Sequence, residues 1–196
     1  MNNLDIKDGV DYNKLINTLS LSKIWGHNII LKKLMIKYTE RYMPLTYAQL
    51  LGVNFGEHCR FVGRNQFGSE PYLINMGDYV SITSSTFITH DGGVWVFRNK
   101  EPDIDVVKPI VIGNYVFIGI NCTILPGVKI GNNTVVGAGS VITKELSGGY
   151  VYAGNPAKPI KTIQEYYAKV KTSKMNTKNL SRIEKEVFFK DKMIQS

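Results

Sequence analysis

The chain has 196 residues, 43% hydrophobic and 20% charged, the balance of a globular protein with one domain and enough length to bury a core. Its net charge of +8 admits an anionic partner, yet no nucleic-acid motif occurs and the excess lysines sit in both flanks, not in one basic stripe. No apolar run approaches the ~20 residues that span a bilayer, and the N-terminus has no basic stretch leading into an apolar one, so neither a membrane span nor a signal peptide is expected.

Residues 1–50 are not repetitive and read as an N-terminal helical segment. From Leu21 to Tyr42 the apolar residues Leu21, Ile24, Trp25, Leu31, Leu34, Met35, Tyr38 and Tyr42 recur at helical spacing, with Lys23, Lys32, Lys33 and Lys37 largely off that stripe. Gly26 weakens the helix and Pro44 is expected to end it. Such a basic amphipathic helix caps a neighbouring element, or lies on a membrane surface as a peripheral contact.

Residues 51–160 carry a repeat. It is degenerate at first: Phe55, Phe61 and Phe67 are six apart, Leu73 follows, and after a three-residue slip come Met76, Ile82 and Ile88, with Val80 and Thr86 as small residues at the fifth place. The pattern lapses after Ile88 into an excursion, residues 91–107, that carries Trp95, Phe97 and Arg98. It resumes at Ile112 in six blocks opened by Ile112, Ile118, Ile124, Ile130, Val136 and Ile142. Glycine holds the second place in four of the six, and Val116, Cys122, Val128, Thr134 and Ser140 hold the fifth.

A period of six fits neither a helix nor a simple strand; fixed self-similarity marks a repeat architecture. One short strand and a corner take six residues, and three such sides close a triangular coil. Stacked coils then form a parallel solenoid, with strands ~4.8 Å apart. The branched first residue points inward, and glycine at the second place is expected for backbone angles that a Cβ disfavours. Cys59 and Cys122 both fall at fifth places, as small inward thiols in a reducing, cytoplasmic setting. Residues 161–196 read as a tail of one or two polar helices, with Ser181 and Glu184 spaced as a capping box. This tail is expected to seal the coil end or to dock on another subunit.

Of three histidines, His27 lies in the N-terminal segment and His58 at the fourth place of an early coil, where surface or packing roles suffice. His90, at the third place of the coil opened by Ile88, stands at the mouth of the excursion. Stacking the coils puts Glu70, fourth place on the same side, about one strand spacing away. A carboxylate there fixes an imidazole tautomer and stabilises the imidazolium. Asp91 is a poorer partner, because neighbours on a strand face opposite ways.

Two stretches are more specific than the repeat: Gly-Ala-Gly-Ser-Val-Ile-Thr-Lys (137–144) and Ala-Gly-Asn-Pro-Ala-Lys-Pro-Ile-Lys (153–161). They are similar to the C-terminal signature of galactoside, maltose and serine O-acetyltransferases, members of the hexapeptide-repeat acyltransferase family. The resemblance implies an all-β, left-handed parallel β-helix with helical appendages at both ends, assembled as a homotrimer that binds acetyl-CoA between subunits. Carried over by motif, the Ala138 backbone N–H holds the pantetheine arm. Thr143 and Lys144 lie at the adenosine end, and Lys158 and Lys161 lie near the phosphates, for which lysine is a point-charge partner. Two of these positions are often Arg in the family, so bidentate contact is lost here.

The resemblance also makes the histidine beside the excursion the general base. Phe-Ile-Thr-His-Asp-Gly-Gly (87–93) differs from the Gly-His-Pro setting of the sugar acetyltransferases and more closely resembles the surface-polysaccharide O-acetyltransferases. The implied reaction is direct acetyl transfer to a hydroxyl of a sugar or polysaccharide precursor, with His90 taking the proton and Glu70 behind it. Trp95 stacks on a sugar face or pins the excursion to the coil. Zinc held by three histidines, as in some triangular β-helices, does not suit the placement of these three, so no metal is expected. N-acetylation of an amino sugar and a non-catalytic trimeric scaffold are the alternative readings.

Overall fold

The computed structural model describes residues 37–194. The sequence-predicted helix therefore lies outside the described residues up to position 36, as do His27 and the basic residues Lys23, Lys32 and Lys33; residues 37–42 are helical. Pro44 does not simply stop that helix. It occupies the first turn of a new one, α1 (Pro44–Leu51), where its missing N–H costs nothing. Helix α1 buries Ala48 completely and sets Tyr47 against Phe67, ring centroids 6.4 Å apart, so it covers the first coil.

The rest of the chain winds through three parallel sheets. The first joins β1 (Asn54–Phe55), β3 (Ile74–Met76), β6 (Ile110–Ile112) and β9 (Lys129–Ile130). The second joins β2 (Arg60–Val62), β4 (Ser81–Thr83), β7 (Val116–Ile118), β10 (Thr134–Val136) and β12 (Tyr150–Ala153), with β13 (Lys158–Thr162) added antiparallel. The third joins β5 (Thr86–Phe87), β8 (Thr123–Ile124) and β11 (Val141–Ile142). First-place residues stack in three inward columns: Phe55, Met76, Ile112, Ile130; Phe61, Ile82, Ile118, Val136, Tyr152; and Phe67, Phe87, Ile124, Ile142. All but Phe55 are buried, and together they are the core. Ile118 is fully buried at its centre, so Ile118→Ala should cost ~2–5 kcal/mol in a chemical denaturation curve.

The small fifth-place residues do more than fit a corner. Thr134 Oγ1 donates to the Gly131 carbonyl at 2.7 Å and Ser140 Oγ to that of Gly137 at 2.6 Å, so each satisfies the carbonyl at its own corner. The second-place glycines are explained by closeness, not by backbone angle, which corrects the sequence expectation. A Cβ on Gly113 would lie 2.2 Å from Asn132 Oδ1, and one on Gly131 would lie 2.4 Å from the Gly148 nitrogen. Third-place Asp78, Asn114 and Asn132 occupy that space, each carboxyl or amide oxygen accepting from a backbone N–H one coil earlier at 2.8 Å. Left-handed backbone falls instead at the fourth place, on His58, Tyr79, Tyr115, Asn121 and Asn133.

One side is a residue short. From Phe61 to Phe67 and from Ile118 to Ile124 there are six steps, but between them the chain goes from Ile82 to Phe87 in five, with Ser84 at φ +40°. Phe87, not Ile88, is therefore the inward residue, and Ser85, not Thr86, is buried at the corner. The hydroxyl of Ser85 makes the short corner tenable by donating toward the Thr83 and Gly119 carbonyls, both at 2.9 Å.

The tail forms two helices, α2 (Ile163–Thr172) and α3 (Arg182–Ile194). Ser181 and Glu184 make the expected capping box, and Thr162 and Glu165 make another. Neither helix seals the stack by itself: the hairpin β12–β13 continues it, α2 lies beside that hairpin, and no described side chain of α3 is buried.

Candidate active site

The short side decides what faces Glu70. Gln66 bridges Thr86, and Phe67 stacks on Phe87 with centroids 5.4 Å apart, so residues twenty apart in sequence are neighbours here. On the preceding side the offset is twenty-one, as in Arg60 opposite Ser81. Counted strictly in sixes, Asp91 would stand against Glu70. With one residue fewer, His90 does, and it occupies the fourth place and not the third. His90 Nδ1 and Glu70 Oε2 are 3.2 Å apart, with side chains 39% and 20% exposed. Asp91 is engaged elsewhere: its carboxylate accepts from the Gly93 N–H at 2.9 Å and caps a 3-10 helix, Gly92–Phe97.

Sequence reasoning missed Thr89. It is fully buried, and its hydroxyl donates to the same Glu70 Oε2 at 2.6 Å. Once Phe87 is taken as inward, alternation along the strand brings Thr89 inward too. The Thr89 hydroxyl above all, with His90 adding to it, holds the Glu70 carboxyl below its ordinary range against the desolvation that pushes it up. An ionised carboxylate only accepts hydrogen bonds, so Nδ1 of His90 is the donor, and in the neutral ring the lone pair falls on Nε2.

The excursion is no open loop. His90 pairs antiparallel with Val107, and the Asp91 N–H to Val106 carbonyl and Lys108 N–H to Thr89 carbonyl bonds, both 2.8 Å, close its base. Trp95 at its tip is 73% exposed, with the Arg98 guanidinium 5.8 Å from its ring centroid, so it does not pin the excursion to the coil of its own chain. His58 stacks on Tyr79 at 4.5 Å, at a different corner from His90.

The remaining candidates divide between two corners. Because Phe87, Ile124 and Ile142 share a column, the positions just past them run along one edge of the prism. Glu70 and His90 lie low on that edge. Exposed Thr143 and Lys144 lie two rungs above His90, roughly 10 Å by strand spacing. Ala138 belongs to the preceding corner. It is exposed, and its N–H has no partner among the described residues. Hydrogen bonds from Gly137 to the Tyr152 carbonyl and from Ala157 to the Val141 carbonyl, each 2.8 Å, bring the hairpin loop to that corner, with Lys158 opposite Ala153 and Lys161 opposite Val151. One chain thus gathers Glu70, Thr89 and His90, but does not bring Ala138 to them. Cys59 is half-buried and Cys122 buried, both free, and burial pushes both thiols up. Among the described residues no group of three or more His, Cys, Asp or Glu is placed to hold a metal ion, and no helix is long and apolar enough to cross a membrane.

Comparison with known proteins adds relatives to this geometry. The family described as bacterial transferase hexapeptide (six repeats) matches residues 109–144. Protein CapG of Staphylococcus aureus is 52% identical over 165 residues, 83% of this chain and 96% of that protein. Galactoside O-acetyltransferase of Escherichia coli (strain K12) is 34% identical over 118 residues, 55% of this chain and 58% of that one. Among solved structures, a galactoside acetyltransferase in complex with coenzyme A superposes with a TM-score of 0.50 at 24% identity, over 76% of this chain and 85% of that one, a likeness of fold.

Proposed function

The chain belongs to the hexapeptide-repeat acetyltransferases, and from that premise we propose that it transfers acetyl from acetyl-CoA to a hydroxyl of a sugar or surface-polysaccharide precursor. The observation that carries this reading is the His90–Glu70 contact beside the excursion. Nε2 of His90 takes the proton as the acceptor oxygen attacks the thioester carbonyl. The tetrahedral adduct then expels coenzyme A as thiolate, which is protonated, and the acetyl ester is left on the acceptor. No covalent enzyme intermediate is required. Imidazole suits the task because it changes charge near neutral pH.

Coenzyme A is a polyanion, and Lys144, Lys158 and Lys161 are read as its point-charge partners. The free Ala138 N–H serves as donor to the pantetheine arm. Since Ala138 and His90 occupy different corners of one prism, the complete site is read as lying between two subunits of a homotrimer, with the coil left-handed as the resemblance implies. Exposed Trp95 is then available to a sugar face. Two free thiols go with a reducing cytoplasm. The test is to incubate the full chain with acetyl-CoA and a panel of neutral and amino sugars, following thiol release and the product bond. Alkali-labile esters are expected. Amides formed on amino sugars alone, or no thiol release with any acceptor, would overturn hydroxyl transfer.

A further inference from the structure

Thr89 is a buried side chain that hydrogen-bonds the carboxylate behind His90. Its hydroxyl and the imidazole converge on a single oxygen, Glu70 Oε2, at 2.6 and 3.2 Å. The approach is held tight from below: a Cβ on Gly68, at φ +65°, would come within 3.2 Å of Thr89 Oγ1 and 3.0 Å of the Phe87 carbonyl. A carboxylate on a flexible glutamate stem has several rotamers, and a second donor on the same oxygen favours the one that keeps both contacts. We infer that Thr89 is a positioning residue: its hydroxyl locks the Glu70 carboxylate so that Nδ1–H of His90 has a fixed acceptor and Nε2 stays unprotonated toward the acceptor hydroxyl. The inference rests on His90 being the base.

Removing the hydroxyl also acts through charge. His90 is the titratable group acting on Glu70, and the Thr89 hydrogen bond is the largest cause of its lowered pKa. A depressed carboxylate keeps its contacts at neutral pH and loses them only as pH falls through its folded pKa. Without Thr89 that loss occurs at higher pH.

The experiment compares wild type with Thr89→Val, which keeps the shape, Thr89→Ser, which keeps the hydroxyl, and His90→Ala. Thr89→Val should lower kcat on the order of 10-fold, the worth of a hydrogen bond to a charged group, with KM for acetyl-CoA unchanged. Thr89→Ser, which returns the hydroxyl, should restore kcat. If Thr89→Val keeps the wild-type kcat while His90→Ala is inactive, the positioning role is overturned and the base is not. If His90→Ala turns over like wild type, the reading beneath falls instead. Should Thr89→Val fail to fold, the ring-nitrogen NMR shifts of His90 in the wild-type protein decide: protonation at Nδ1 in the neutral ring is expected, and protonation at Nε2 overturns the inference.

Discussion

Replacing His90 by alanine should lower kcat ~10²–10⁴-fold, the usual worth of a positioned general base, while leaving KM for acetyl-CoA and the melting temperature near their wild-type values. The first expectation follows from the tautomer. Glu70 is ionised and accepts a hydrogen bond from Nδ1–H, so in the neutral ring the lone pair at Nε2, which has no partner among the described residues, is free for an acceptor hydroxyl. The second follows from position. His90 is 39% exposed and outside the core, so truncation leaves no sealed cavity, and it sits two rungs from the positions proposed for the adenosine end. Glu70→Gln should cost less than His90→Ala but in the same direction, because an amide that turns its NH₂ toward Nδ1 favours the tautomer with the proton on Nε2. Stopped-assay thiol release at saturating acceptor separates these outcomes. Wild-type turnover by His90→Ala removes this residue from the chemistry.

That a one-residue error in register left the Glu70–His90 contact legible says what a six-residue period can and cannot resolve. From Ile112 onward the pattern is unambiguous, because the branched first residues recur without a slip and four of the six are followed by glycine. At Thr86-Phe87-Ile88 two apolar residues are adjacent, and the candidates for the small corner position, Ser85 and Thr86, are adjacent too. Composition cannot choose between them. Packing chooses: Phe87 stacks on Phe67, and Ser85 finds carbonyls that Thr86 does not reach. Thr89 stayed unseen for the same reason, since its inward placement depends on that choice. Glycine at the second place was visible, but its cause was not. The informative unit is the dipeptide Gly77-Asp78, Gly113-Asn114 and Gly131-Asn132, in which the second residue caps the coil before it and the first makes room for the coil above, for its cap at Gly77 and Gly113 and for the Gly148 backbone at Gly131. Pro44 shows the same kind of limit, because a proline that ends one helix is equally suited to begin the next.

Gly119→Ala should destabilise the protein by ~1–3 kcal/mol, the range of an overpacked interior, and should weaken acetyl-CoA binding as well. The added Cβ would lie 2.6 Å from the Ala138 nitrogen, 2.9 Å from its Cα and 3.0 Å from the Gly137 carbonyl carbon. These are backbone atoms of the next coil and cannot swing aside as a side chain can, so the corner at 137–139 must move. The Ala138 N–H proposed to hold the pantetheine arm moves with it. Two comparisons separate stability from binding. Gly92→Ala meets nothing within 4 Å and should be silent in both measurements. Gly113→Ala meets Asn132 Oδ1 at 2.2 Å and should cost stability by breaking the Asn132 cap, but it acts at a different corner from Ala138 and should leave affinity unchanged. Urea denaturation gives the first quantity, and isothermal titration with acetyl-CoA on the folded variants gives the second. Loss of stability with wild-type affinity in Gly119→Ala would mean that the amide of residue 138 is not a ligand contact, because no smaller perturbation of the stack displaces it more directly.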